Sequence, residues 1–195
     1  MYCYLRSIMP ILKIIKTPNS LLRIKSLPVT IIDSQMKDFM KSMLETMYNE
    51  EGIGISAIQV GKPIRALIVD IPKEENDQIK REPFFIINPE VNYLSEEKVI
   101  LNEDCLSIRK EDGIAFIIGD VERPKNISIS YIDLEGNSKE LTCNGNNSDY
   151  DLWFSRCLQH ELDHLDGILF IDRLYNAKFP KTEIEISGNL QTENI

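Results

Sequence analysis

The stretch Gln159-His160-Glu161-Leu162-Asp163-His164 holds the chain's only two histidines, four residues apart, with a glutamate directly after the first. From about Asp151 to Leu165 the sequence reads as a helix, and the Asn, Gly and Ser residues just upstream offer caps for its start. On a helix, positions i and i+4 project from one face one turn apart, so His160 and His164 are placed to chelate one divalent ion as neutral imidazoles. Glu161 lies beside that face, within reach of a water at the ion without being a ligand itself. Two imidazoles merely buried in a core would carry a polar cost that metal binding removes.

Working outward, Asp33 is a good N-cap for a second, N-terminal helix running to about Glu50. Its apolar residues Met36, Phe39, Met40, Met43, Leu44 and Met47 form the stripe of a one-sided helix, and the methionines read as core. Between the helices lie short β-rich runs at Arg65–Ile71, Phe84–Asn88, Lys98–Leu101, Gly113–Ile118 and Asn126–Leu134, separated by Pro, Gly and charged turns. Lys73–Glu82 is almost wholly polar and reads as a solvated connection. Glu135-Gly136-Asn137 reads as a hairpin turn, and Thr142–Asp149 as a surface loop. Helix, strands, helix, with no βαβ alternation, predicts an α+β fold: antiparallel strands packed around the histidine helix. The expected organisation is a loose arm at 1–9, one domain at 10–175 and a tail at 176–195, with Met9 an alternative start to Met1.

At 195 residues, the chain suits one domain. Its 31 acidic against 22 basic residues give a net charge of −9, and without a basic patch this argues against strong nucleic-acid binding. No apolar run is long enough for a membrane span, and the first residues lack the pattern of a secretory signal, so a cytoplasmic location is expected. In a reducing compartment, cysteines 3, 105, 143 and 157 point to metal binding, catalysis or burial instead of disulfides.

A catalytic metal needs a third protein ligand and an open position. Cys157 stands three residues before His160, but helical side chains lean toward the N-terminus, so its thiol should point away from an ion held by 160 and 164. Cys105, in Glu103-Asp104-Cys105-Leu106-Ser107 just past a predicted strand, can approach from the open side and is the favoured ligand. Gly52-Ile53-Gly54-Ile55-Ser56-Ala57-Ile58-Gln59-Val60-Gly61 superficially matches a dinucleotide fingerprint. It follows a helix instead of a strand, however, and has Ala57 where the third glycine belongs. Its glycines more simply let backbone approach a ligand, with Gln59 as an uncharged donor.

Together these three segments resemble the peptide deformylases, in order and spacing. Arg23–Val29, Glu122-Arg123-Pro124, Tyr131–Gly136 and Leu165–Asp172 are also similar to that family, so the likeness spans about residues 10 to 174. The resemblance implies one divalent metal per chain held by Cys105, His160 and His164, commonly Fe2+ in cells and replaceable by Zn2+ or Ni2+. It implies Glu161 as general base and acid, and Gln59 and the Leu106 backbone N–H as oxyanion donors. Gly54 is then the residue that hydrogen-bonds the substrate chain, Ile53, Leu106, Arg156 and Cys157 line a methionine pocket, and Glu103 pairs with Arg123 as a brace. The implied reaction is removal of the formyl group from formyl-methionyl nascent peptides, with transient ribosome contact. Asp104, Ser56 and Arg109 depart from the residues usual at those positions, and the tail lacks the basic helix that some members use for ribosome docking. Two alternatives are an endopeptidase, for which no third histidine is available, and a metal-stabilised binding module with weak or no activity.

Overall fold

The first helix, α1 (Ser34–Asn49), starts where expected, with the Asp33 carboxylate accepting from the Met36 N–H at 2.9 Å. The computed structural model describes residues 9–75, 78–108 and 117–175. The arm except Met9, the tail at 176–195, Cys3, Arg109 and all but two residues of the strand expected at 113–118 lie outside the described residues.

After α1 come β1 (Gly54–Ser56), a 3₁₀ segment at Ala57–Val60, β2 (Ala66–Val69), β3 (Lys73–Glu75), β4 (Gln78–Lys80), β5 (Phe84–Leu94), β6 (Lys98–Glu103), β7 (Gly119–Pro124), β8 (Asn126–Ile132) and β9 (Ser138–Asn144), before α2 (Asp149–Leu165). A five-stranded antiparallel sheet has the order β1-β2-β5-β8-β9, and β3 with β4 and β6 with β7 form two smaller pairs. The architecture is the expected α+β one.

The period of two in β2 explains how two helices share this sheet. Leu67 and Val69 join the cluster of Phe154, Leu158, Leu162 and Leu165 from α2, whereas Ala66 and Ile68 join Met36, Phe39, Met40, Met43 and Met47 from α1. Each helix thus buries its apolar stripe on its own side of the central strands. A third cluster, with Leu22, Cys105, Ile108, Val121, Phe170 and Ile171, anchors the segment after β6 beside the end of α2.

Three local readings need correction. Lys73–Glu82 contains the β3–β4 hairpin, whose side chains are largely solvent-facing; Lys73–Glu82 and Lys80–Glu82 ion pairs lie along it, and its polarity masked its pairing. The assigned loop at Thr142–Asp149 begins too early, because edge strand β9 runs to Asn144, with the mostly exposed, charged sequence typical of a protected edge. Strand β7 begins at Gly119, where Glu122 and Arg123 gave no apolar run; both pair with β6, and they form ion pairs with Lys98 and Glu103 respectively. The hairpin turn at Glu135-Gly136-Asn137 is as expected, with Gly136 at φ 86.

Candidate active site

Helix α2 is buried from Phe154 to Leu165, an unusual environment for so many polar residues and one that requires each to have a partner. Ser148 caps its start by accepting from the Asp151 N–H. The helix carries His160, Glu161 and His164 beneath a cleft whose opposite walls are β1, the 3₁₀ segment and the chain leaving β6.

That last segment delivers Cys105. The candidate ligand atoms of Cys105, His160 and His164 lie within 4.8 Å of one another, and Cys105 Sγ stands 3.2 Å from His164 Nε2. A tetrahedral ion with the usual bond lengths to sulfur and nitrogen spaces its donors by about 3.5 Å, so the three residues fit a divalent ion. Cys157 is not in this group; its thiol points to the Ile53 carbonyl at 3.5 Å, and burial pushes that thiol well above its usual range. His160 Nδ1 meets Glu103 Oε2 at 2.9 Å, which leaves Nε2 as the ligand atom. Burial, then the neighbouring His160, pushes His164 well below the usual imidazole range, whereas, against its own burial, Cys105 and Glu103 push His160 well above it.

Glu161 is only 3% exposed, and its Oε2 has no hydrogen-bond partner among the described residues. Burial pushes its carboxyl up to about 7. Gln59 is fixed from the other end of its amide: Oε1 accepts from the Ser56 N–H at 2.8 Å and from the Ser56 hydroxyl at 3.0 Å, which turns Nε2 toward Cys105 Sγ at 3.6 Å. Ser56 therefore holds Gln59 through both its backbone N–H and its hydroxyl.

A cleft of about 340 Å³ is lined by Ile53, Gly54, Gln59, Cys105, Leu106, Arg156, Cys157, His160 and Glu161. His164 lies behind this lining, beside Cys105. Arg156 contributes wall without a free charge, because its guanidinium donates to Glu103 at 3.0 Å and to the Val99 and Val121 carbonyls. Asp104 is exposed at the rim, and Trp153, which the sequence reading passed over, lines the same cleft.

Behind the metal ligands, Glu103 accepts two bonds from Arg123, at 2.6 and 2.9 Å, as the brace expected from the resemblance. Burial opposes its ionisation, but Arg123 and His160 outweigh that and hold the Glu103 carboxyl far below the usual range. Asp163 also joins Arg123, a role that only its position between the two histidines could have signalled.

The sequence model of the polypeptide deformylases matches residues 11–179. The chain belongs to the peptide deformylase family. A peptide deformylase of Bartonella tribocorum is 41% identical over 170 residues, covering 87% of this chain and 88% of that protein. Peptide deformylase 1 of Rickettsia conorii is 42% identical over 174 residues, covering 87% and 91%. Among solved structures, peptide deformylase from Ehrlichia chaffeensis in complex with actinonin superposes with a TM-score of 0.74 at 34% identity, covering 87% of this chain and 92% of that one. The Met-Ala-Ser-bound class I type b peptide deformylase from Acinetobacter baumannii does so with 0.72 at 29% identity, covering 85% and 99%.

Proposed function

We propose that the chain is a metal-dependent hydrolase that removes the N-formyl group from the N-terminal formyl-methionine of nascent polypeptides and releases formate. The observation that carries this reading is the Cys105, His160 and His164 donor set at one cleft with Glu161 buried beside it and the Gln59 amide facing it. A divalent ion held there, Fe2+ in cells with Zn2+ or Ni2+ as substitutes, supplies Lewis acidity and makes water easier to deprotonate.

Glu161 takes a proton from the attacking water, a task suited to a carboxyl that exchanges protons near neutral pH. The water oxygen adds to the formyl carbon, and the charge developing on the formyl oxygen is received by Gln59 Nε2 and the Leu106 backbone N–H. Glu161 then hands the proton to the departing nitrogen as the carbon–nitrogen bond breaks, leaving formate and a free N-terminus. Gly54 holds the substrate backbone, while Ile53, Leu106, Arg156 and Cys157 enclose the methionine side chain.

The Acinetobacter relative bound to Met-Ala-Ser supports a cleft that accepts a peptide beginning with methionine. Among the described residues no helix is long and apolar enough to cross a membrane, and we place the reaction in the cytoplasm, where nascent chains meet the enzyme in transient contact with the ribosome. Comparing a formyl-methionyl peptide with its acetyl-methionyl counterpart and with an internally cleavable peptide tests the reading. Hydrolysis of the formyl bond alone is expected; cleavage of internal bonds would instead favour an endopeptidase, and no hydrolysis a binding module.

A further inference from the structure

We infer that Arg173, outside the cleft, is a positioning residue for the metal ligand His160, acting through Asp163, Arg123 and Glu103. Arg173 lies at the end of a 3₁₀ segment, Phe170–Arg173, that follows α2. Its side chain is 43% exposed, yet its guanidinium closes on Asp163 with two bonds, Nε to Oδ2 at 2.6 Å and an NH2 contact to Oδ1 at 2.7 Å. Asp163 Oδ2 also accepts from Arg123 at 2.6 Å, and the remaining Nε and NH2 edge of Arg123 grips both oxygens of Glu103. Glu103 Oε2 in turn meets His160 Nδ1. Every link in this chain of contacts is a charge-assisted hydrogen bond, and all the members except Arg173 are buried.

The arrangement has a specific logic. Two carboxylates, Glu103 and Asp163, share the Arg123 guanidinium, Glu103 on its Nε and NH2 edge and Asp163 on NH1. Arg173 occupies both oxygens of Asp163, so Asp163 needs only a single bond from Arg123, whose Nε and NH2 edge stays squarely on Glu103. Without Arg173, Asp163 is a buried carboxylate left with its bond from Arg123 NH1, and it draws the guanidinium toward itself and off its fit to Glu103. Glu103, which fixes the ring orientation of His160, is then held less firmly, with Arg156 as its undisturbed donor. Because partners behind a ligand histidine typically govern metal affinity by roughly 10–100-fold, a link further out should act at the lower end of that range, about tenfold.

The inference rests on the metal-site reading, and the two can fail separately. The full chain, freed of metal, is titrated with Co2+ while its visible absorption and its thermal melt are followed. The same is done for Arg173→Gln, Asp163→Asn and the double variant. Failure of the wild-type protein to take up Co2+ would remove the site itself. The relay predicts about tenfold weaker Co2+ binding in Arg173→Gln with a changed visible spectrum, and no further loss when it is added to Asp163→Asn, since both break the same chain. Binding within twofold of wild type, or losses that add in the double variant, would overturn it. A purely structural role for Arg173 would lower the melting temperature without moving either the affinity or the spectrum of the folded protein.

Discussion

The backbone of Gly54 and the carboxylate of Glu161 are packed so closely that a Cβ at position 54 would lie 2.7 Å from Glu161 Oε1, and 2.5 Å from Cys157 Sγ. Strand β1 thus sits directly against the residue proposed as general base, with no room for a methyl group. Gly54→Ala should displace both side chains, lower kcat/KM by at least about tenfold, and cost about 1–3 kcal/mol of stability through overpacking. Steady-state kinetics and thermal melts check this; an unchanged rate would mean that the contact is not part of the site.

Cys105→Ala should abolish tight metal binding, because only two imidazoles remain, whereas Cys157→Ala should leave the metal content near one ion per chain. Metal analysis of the two purified variants separates the outcomes, and equal loss from both would remove the ligand assignment.

Glu161→Gln should retain metal and lose nearly all turnover, since an amide cannot accept the water's proton. Its effect on the metal-free protein has the opposite sign. Burial raises the folded pKa of Glu161 to about 7, above the unfolded value, so the stability this group contributes is fully present below the unfolded pKa and lost as pH rises through 7. Metal-free Glu161→Gln should therefore be more stable than metal-free wild type at pH 8, by roughly 1–3 kcal/mol, and should show a smaller difference at pH 5. Thermal melts at the two pH values are the check, and a difference that does not change with pH would place Glu161 in a solvated setting.

Gln59→Leu removes one donor to the developing oxyanion while leaving the metal ligands in place. It should bind metal normally and react about 10²-fold more slowly, the usual scale for such a donor. A wild-type rate, measured at saturating substrate, would move the donor elsewhere.

What the sequence disclosed depended on whether a residue's role was local. His160 and His164 share a helix, so their spacing alone revealed a chelating pair, and the methionines of α1 declared their buried face by period. Cys105 was favoured over Cys157 by side-chain direction, and its meeting with His164 bears that out. Asp163 and Arg173 went unnoticed because a buried ion pair between a helix and a later turn leaves no periodic trace. Strands β7 and β9 were missed for a related reason: their charged and hydroxyl residues serve pairing, edge protection or ion contacts, and so mimic loops.

The central claim is that one ion held by Cys105, His160 and His164 serves hydrolysis of a formyl group. The most direct measurement is formate released from a formyl-methionyl peptide by the purified full-length protein, with bound metal counted in the same sample, before and after chelation and reloading. The account predicts formate release that tracks metal content up to one ion per chain, disappears on chelation and returns on reloading. Formate release that persists after the metal is gone, or a fully loaded protein that releases none, would contradict it.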